Sequence, residues 1–276
     1  MFWFGPTGVG KTALLWDMLL SLLSIENSGI SALDYGYSSY IIGQLLDATY
    51  YSVGDDDAVP LCPLAVLDQP GGIQWLSAWF KRFFKRWDLE LRERQWDDFR
   101  GKLARAKDGT NFRGEPLRQL IDFRGLIQGQ DHDSERIREI LAQYTMPPEL
   151  GGYGHIFNGL PTEQPDQRVV IYEMSKLGRD PQIVDPATEL ILHNIGARNT
   201  KGHPRWIAVD EAHRQLRDPI GAAELEQTIR EFRRLNCSFI GATQSIVEVA
   251  RSPIRDILLD QMSALLSPAY YSDSAR

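Results

Sequence analysis

Apolar and polar positions recur along this chain at two different periods, and the change of period marks its organisation. Residues 2–4 (FWF) are apolar and run into a glycine-rich turn, which predicts a short strand. Residues 11–24 (KTALLWDMLLSLLS) are apolar nearly all round, which predicts a buried helix. Residues 29–36 (GISALDYG) predict a second strand ending at Asp34; 38–46 predict a helix, and 48–53 a third strand before the acidic turn 54–57. Strands alternating with helices predict an α/β fold whose mainly parallel sheet is covered on both faces.

From 73 to about 146 the spacing becomes helical. Ile73, Leu76, Phe80, Phe83 and Trp87 share one period; Trp96, Phe99 and Leu103 continue it, as do Ile137, Ile140, Leu141 and Tyr144. Turn residues at 107–116 interrupt the run, and 147–159 (PPELGGYGHIFNG) read as a loop. The strand pattern then returns at 168–174 (RVVIYEM), 205–211 (RWIAVDE) and 237–245 (CSFIGATQS), with a last candidate at 262–267. Helices are expected near 187–197 and over 221–235, the latter burying Leu225, Ile229 and Phe232. Ser252 and Pro253 fit a helix cap and first helical position. The expected organisation is a core split between 1–72 and 151–276, with a helical insertion at 73–150.

Composition narrows the classes. Of 276 residues, 43% are hydrophobic and 24% charged, enough for a packed core, and the formal net charge is −7. That balance argues against a domain built chiefly to grip nucleic acid through a broad basic surface. The two cysteines, Cys62 and Cys237, are far apart, and the five histidines are scattered, so neither a disulfide framework nor a zinc site is expected. The apolar run 13–25 is too short for a membrane span and contains Asp17. The expected place is the bacterial cytoplasm, with peripheral contact at the inner membrane face left open.

The strongest chemical signal is Gly5–Pro6–Thr7–Gly8–Val9–Gly10–Lys11–Thr12, which fits G-x-x-x-x-G-K-(S/T) between a predicted strand and a predicted helix. Glycines let the backbone bend so that amide N–H groups converge on phosphate oxygens, and a helix start adds its positive end. Lys11 would reach the β- and γ-phosphates of ATP, and the Thr12 hydroxyl would ligate Mg²⁺. The apolar strand ending in Asp210 and Glu211 supplies the complementary acids: Asp210 for the metal shell, Glu211 to orient or deprotonate the attacking water. Gln244, at the end of the next strand, is a neutral donor and acceptor suited to sensing the γ-phosphate.

Arg230, Arg233 and Arg234 share a helix face. One reading is a solvated face paired with Glu226 and Glu231; the other is an arginine acting in a neighbouring subunit's site, with Arg233 favoured. In 74–87 aromatics interleave with Lys81, Arg82, Lys85 and Arg86. The spacing puts rings and bases on opposite sides, as in an amphipathic helix rather than a single-strand-binding face.

Several stretches taken together resemble one family: GPTGVGKTALL, LDYGYSSYIIGQLLDATYYSVG, EILAQYTMPPELGGYGHIFN, VVIYEMSKL, IAVDEAHRQLRDP and REFRRLNCSFIGATQSIVEVARSPIRDIL. In this order they resemble conjugal transfer ATPases of the TrbE type, type IV secretion ATPases of the HerA/FtsK branch. The resemblance implies a RecA-like P-loop NTPase core, ATP and Mg²⁺ as cofactors, a hexamer-type homo-oligomer and other secretion-channel components as partners. It also implies a trans-acting role for Arg233. His213 stands where the family usually has tryptophan, and Arg234 where lysine is usual. Family members carry a large domain before the phosphate-loop strand, so the chain resembles an isolated motor domain or a piece of a split gene. Two further readings stand beside an ATPase energising conjugative transfer: a nucleotide-gated assembly subunit with little turnover, and a motor pumping DNA directly.

Overall fold

The computed structural model describes residues 1–4, 10–55, 60–160, 167–199, 202–212, 216, 219–243, 246–261 and 265–266. Along the chain these form β1 (Phe2–Phe4), α1 (Lys11–Leu22), β2 (Gly29–Asp34), α2 (Tyr40–Leu45), β3 (Thr49–Ser52), α3 (Gly72–Lys85), α4 (Glu93–Asp108), α5 (Leu120–Leu126), α6 (His132–Gln143) and α7 (Gly154–Phe157). There follow β4 (Val169–Glu173), α8 (Pro181–Arg198), β5 (Arg205–Val209), α9 (Pro219–Arg234), β6 (Cys237–Thr243), two short helices at Ile246–Ala250 and Arg255–Gln261, and β7 (Leu265–Leu266). The chain divides into two compact units. The first comprises 1–51, 166–175 and 198–276; the second comprises 52–165 and 176–197 and is wider than the helix-periodic stretch 73–150 alone.

The first unit is built on a seven-stranded sheet of order β3-β4-β2-β5-β6-β1-β7. β2 pairs in parallel with β4 and β5, β6 with β5 and β1, and β1 with β7. Parallel strands need helical crossovers, and with both faces covered the strands read as continuous apolar runs; β2 and β4 are buried at every position. One face carries Ile30, Ala32, Val169, Ile171, Ala208, Ile240 and Ala242, packed with Leu15, Trp16 and Leu19 of α1. Each such large side chain contributes roughly 1.5–3 kcal/mol by leaving water.

Helix α1 is not buried all round as expected. Its inner stripe is Lys11, Leu15, Trp16 and Leu19, while Leu14 and Leu20 are exposed. A helix lying on one sheet buries only the side toward it. In α9, Leu225 and Phe232 are buried, but Ile229 is half-buried and Thr228 takes the buried place. The Ser252 hydroxyl accepts from Ile254 N, and the helix itself starts later, at Arg255.

The second unit has an aromatic centre. Trp79, Phe80, Phe83 and Phe84 of α3 are buried against Phe99, Phe123 and Tyr144 from α4, α5 and the end of α6. The segment read as a loop at 147–159 contains a 3₁₀ turn at Pro148–Leu150 and helix α7, ordered because Ile156 and Phe157 are buried. Helix α8 starts at Pro181, earlier than the expected 187, and contains Pro186. Proline removes the N–H that would bond the carbonyl four residues back. The Tyr144 hydroxyl donates to that Gln182 carbonyl at 2.7 Å, which satisfies it and lets the helix continue.

Two of the four bases of α3 are neutralised inside this unit. Arg86 Nη2 lies 2.8 Å from Glu189 Oε1 and Arg82 Nε 3.2 Å from Glu189 Oε2, both on α8, while Lys81 and Lys85 are on the outer side. This is the amphipathic helix that the spacing predicts. His193 stacks on Trp75 at 3.8 Å, with Nε2 2.9 Å from Gln69 Oε1. Burial, helped by the Arg82 charge, pushes its pKa down from 6.5 to about 4. Its contribution to stability is therefore present above pH 6.5 and lost as pH falls toward 4. Thermal unfolding between pH 7 and 4 should show this acid limb, and His193→Gln should flatten it.

Candidate functional site

The site lies at the C-terminal edge of the parallel sheet, where ligands bind in open α/β folds. Strand β6 sits between β1 and β5. The turn after β1 leads through Gly10, at φ +77°, into α1. A residue with a Cβ is strained in that left-handed conformation by roughly 1–2 kcal/mol, so glycine suits the last position before Lys11. Gly5, Pro6, Thr7, Gly8 and Val9 lie outside the described residues, as do His213 and Gln244.

At the end of β5 the chain turns sharply. Asp210 N donates to Leu33 O at 3.0 Å and Ala212 N to Ala242 O at 2.8 Å. Glu211 between them has φ +54°, rare for a residue other than glycine. Such strain persists only where the surroundings impose it, and it aims Asp210 and Glu211 off the strand end together. Glu211 N donates to Asp210 Oδ1 at 3.0 Å.

These acids meet the start of α1. The Thr12 hydroxyl donates to Asp210 Oδ2 across 3.4 Å, over 198 residues of sequence. Lys11 Nζ lies 4.0 Å from Asp210 Oδ1 and 3.6 Å from Glu211 Oε1, with the Lys11 side chain 8% exposed. Both separations exceed the roughly 2.7–2.9 Å of a charge-assisted hydrogen bond, so the ammonium is held near the acids without being locked onto either.

The donor set fits a nucleotide–Mg²⁺ pair. Neighbouring oxygens in an octahedral Mg²⁺ shell lie about 2.9 Å apart. The Thr12 and Asp210 oxygens, at 3.4 Å, need only a small adjustment to share one hydrated ion. The pairing of hydroxyl, carboxylate and buried ammonium suits a hard cation beside a polyphosphate.

Two further carboxylates at the same edge were not singled out by sequence reasoning. Asp34 ends β2, is 2% exposed, and accepts from Ser38 Oγ at 2.7 Å and Ser39 N at 2.6 Å. Ser39 Oγ in turn accepts from Trp16 Nε1 of α1 at 2.9 Å. Glu173 ends β4, is fully buried, and accepts from Tyr37 N, Tyr50 Oη and Ser175 N. Burial, then the Glu173 charge, pushes the Tyr50 phenol up. The signal that could have found both is the one that found Asp210, an acid closing an apolar strand run.

Arg233 is exposed in the last turn of α9, just before β6 begins. The seven residues of β6 span roughly 20 Å, which puts Arg233 at the edge opposite Asp210. Arg230 pairs with Glu226 at 2.7 Å, and Glu231 accepts from Gln227 at 3.1 Å.

Comparison with known proteins follows this geometry. No family model matches the chain. Over 92% of its length it is 25% identical to a probable conjugal transfer protein TrbE of Sinorhizobium fredii. Over the same share it is 27% identical to the conjugal transfer protein TrbE of Rhizobium radiobacter. The resemblance is to the TrbE conjugal transfer proteins. The chain spans about a third of these relatives' length, 37% and 30% respectively. Its fold is that of VirB4 of Thermoanaerobacter pseudethanolicus, with a TM-score of 0.77 at 16% identity over 97% of this chain and 76% of that one. The plasmid coupling protein TrwB, solved with ADP and Mg²⁺, aligns with a TM-score of 0.59 at 14% identity over 96% of this chain and 69% of that one. The α/β parallel-sheet fold and the TrbE-type resemblance both stand as the sequence implies.

Burial pushes the Asp210 carboxyl above its usual range; Lys11 partly offsets this, while Glu211 adds to it. The folded chain thus holds that proton more tightly than the unfolded chain. The stabilising effect is full below the ordinary aspartate pKa of 3.8 and is lost as pH rises through the raised value. Asp210→Asn should therefore raise the Tm of the nucleotide-free chain at pH 7, as thermal denaturation will show.

Proposed function

We propose that the chain is an ATPase module of the TrbE type, which hydrolyses ATP with Mg²⁺ to energise conjugative transfer through a type IV secretion channel. The observation that carries this reading is the meeting of Thr12 and Lys11 with Asp210 and Glu211 at one sheet edge. The TrbE relatives are conjugal transfer proteins, and TrwB has been solved with ADP and Mg²⁺ and with a non-hydrolysable ATP analogue. Both support the same cofactors here.

In this reading Gly5, Pro6, Thr7, Gly8, Val9 and Gly10 present backbone donors to the phosphates. Thr12 and Asp210 hold the metal, whose positive charge neutralises the polyphosphate when bound. Lys11, close to Glu211 in the structure, turns to the phosphates. Leaving Glu211 uncovers its carboxylate, which then orients the attacking water and accepts its proton at Oε1. Gln244 senses the γ-phosphate. Arg233, too far from its own Asp210, acts at a neighbour's site in a hexamer-type homo-oligomer.

The reading includes a bacterial cytoplasmic place with peripheral contact to the inner membrane and to other channel components. Among the described residues no helix is long and apolar enough to cross a membrane. The net charge of −7 and the pairing of Arg82 and Arg86 with Glu189 weigh against a motor that grips DNA through this segment.

Nucleotide binding and phosphate release measured together test the proposal. Lys11→Ala should abolish ATP binding. Glu211→Gln should keep binding and lower turnover by roughly 10²–10⁴-fold, the usual worth of a general base. A Glu211→Gln chain that binds ATP and hydrolyses it at the unaltered rate would remove Glu211 from the chemistry and favour the assembly-subunit reading.

A further inference from the structure

The first unit carries a second chemically loaded place, at the sheet edge opposite Asp210. A cavity of about 480 Å³ opens there, where β2, β4 and β5 begin. Arg168, Arg198 and Arg205 line it together with His203 and Asn199, and Glu26 is the one acid in the lining among the described residues. In a chain with a net charge of −7, three arginines against one carboxylate make a local reversal of sign.

Backbone acceptors hold two of these guanidinium groups in place. Arg168 Nε donates to Ser28 O at 3.0 Å, and its Nη2 donates to Leu23 O. Arg205 Nη2 donates to Gln167 O at 3.2 Å, and its Nη1 to the Ser31 hydroxyl at 3.0 Å. Neutral acceptors fix position without cancelling charge. Gly29 makes the room: a Cβ there would stand 3.0 Å from Arg205 Nη2 and 3.0 Å from Arg168 O. The cavity wall is tied together by Asn199, whose buried amide donates to His203 O at 2.9 Å and Leu235 O at 2.6 Å.

The geometry points to a binding site for a small organic phosphate or polyphosphate in this cavity, separate from the site at Asp210. The five residues of β5 keep the two about 17 Å apart. The volume falls within the range of small-molecule sites, roughly 300–1,000 Å³, and exceeds what one inorganic anion fills. The arginines come from three separate segments, before β4, at the end of α8 and at the start of β5. A tetrahedral phosphate offers oxygens in several directions to such forks, whereas a planar carboxylate offers two in one plane. The inference does not depend on the nucleotide reading of the Asp210 edge.

Calorimetry with inorganic pyrophosphate on the Lys11→Ala chain tests it, because that substitution removes the lysine of the phosphate loop. Pyrophosphate should still bind at one site. Adding Arg168→Ala should weaken binding by about tenfold or more, as expected for loss of a charge-assisted fork, and Arg168→Lys should restore part of it. Adding Lys81→Ala should change nothing. Citrate at matched ionic strength should bind about tenfold more weakly than pyrophosphate. No pyrophosphate binding in the Lys11→Ala chain, binding indifferent to both Arg168 substitutions, or citrate binding equally well would overturn the proposal. Circular dichroism of each variant identifies any that fails to fold, and the Arg168→Lys arm then decides. ATP binding by the unaltered chain is unaffected by these outcomes, so the two readings fail separately.

Discussion

Thr12 and Asp210 touch across 198 residues of sequence, and the architecture of the first unit follows from bringing them together. One starts a helix and the other ends a strand, so a parallel sheet is needed to present both on one edge. Strand β6 lies between β1 and β5, which opens a gap between the loop after β1 and the acids after β5. Lys11 bridges the gap toward both acids without closing on either. The apolar packing of Leu15, Trp16 and Leu19 onto the sheet fixes the helix that carries Lys11 and Thr12. Core and site thus belong to one arrangement.

The carboxylates along that edge are treated differently. Asp34 and Glu173 are saturated by short bonds from nearby turns, and Asp34 is tied through Ser39 to Trp16 of α1. A buried carboxylate with several donors is stable as a structural pin. Asp210 is buried with a neighbouring amide, a long contact to Thr12 and a distant ammonium, and its pKa is raised. An acid left short of partners in the nucleotide-free chain has the most to gain from a cation. The positive φ of Glu211 belongs to the same logic, since the strained turn sets both acid side chains at the strand end.

Much of this was legible because the signals were short-range. Apolar runs bounded by glycine, asparagine or an acid marked β2, β4, β5 and β6, and the glycine loop before Lys11 marked the phosphate edge. What escaped depended on partners distant in sequence. Leu14 and Leu20 look as apolar as Leu15 and Leu19, and only the position of the sheet decides which are covered. Pro186 read as a helix boundary because the hydroxyl of Tyr144, which repairs the lost bond, lies on another element. Ile156 and Phe157 turn a glycine-rich stretch into a helix by being buried. The arginine cavity gathers residues from four separate segments, and no spacing rule joins Arg168 to Arg205.

The most direct test of the central claim is a double-substitution cycle on divalent-ion affinity. Mn²⁺ in place of Mg²⁺ can be followed by electron paramagnetic resonance in the presence of ADP, comparing the unaltered chain with Thr12→Ala, Asp210→Asn and both together. If the hydroxyl and the carboxylate share one ion, the two losses are coupled and the double substitution costs clearly less than their sum. Strictly additive losses, or an ion bound equally well without either group, would contradict the account.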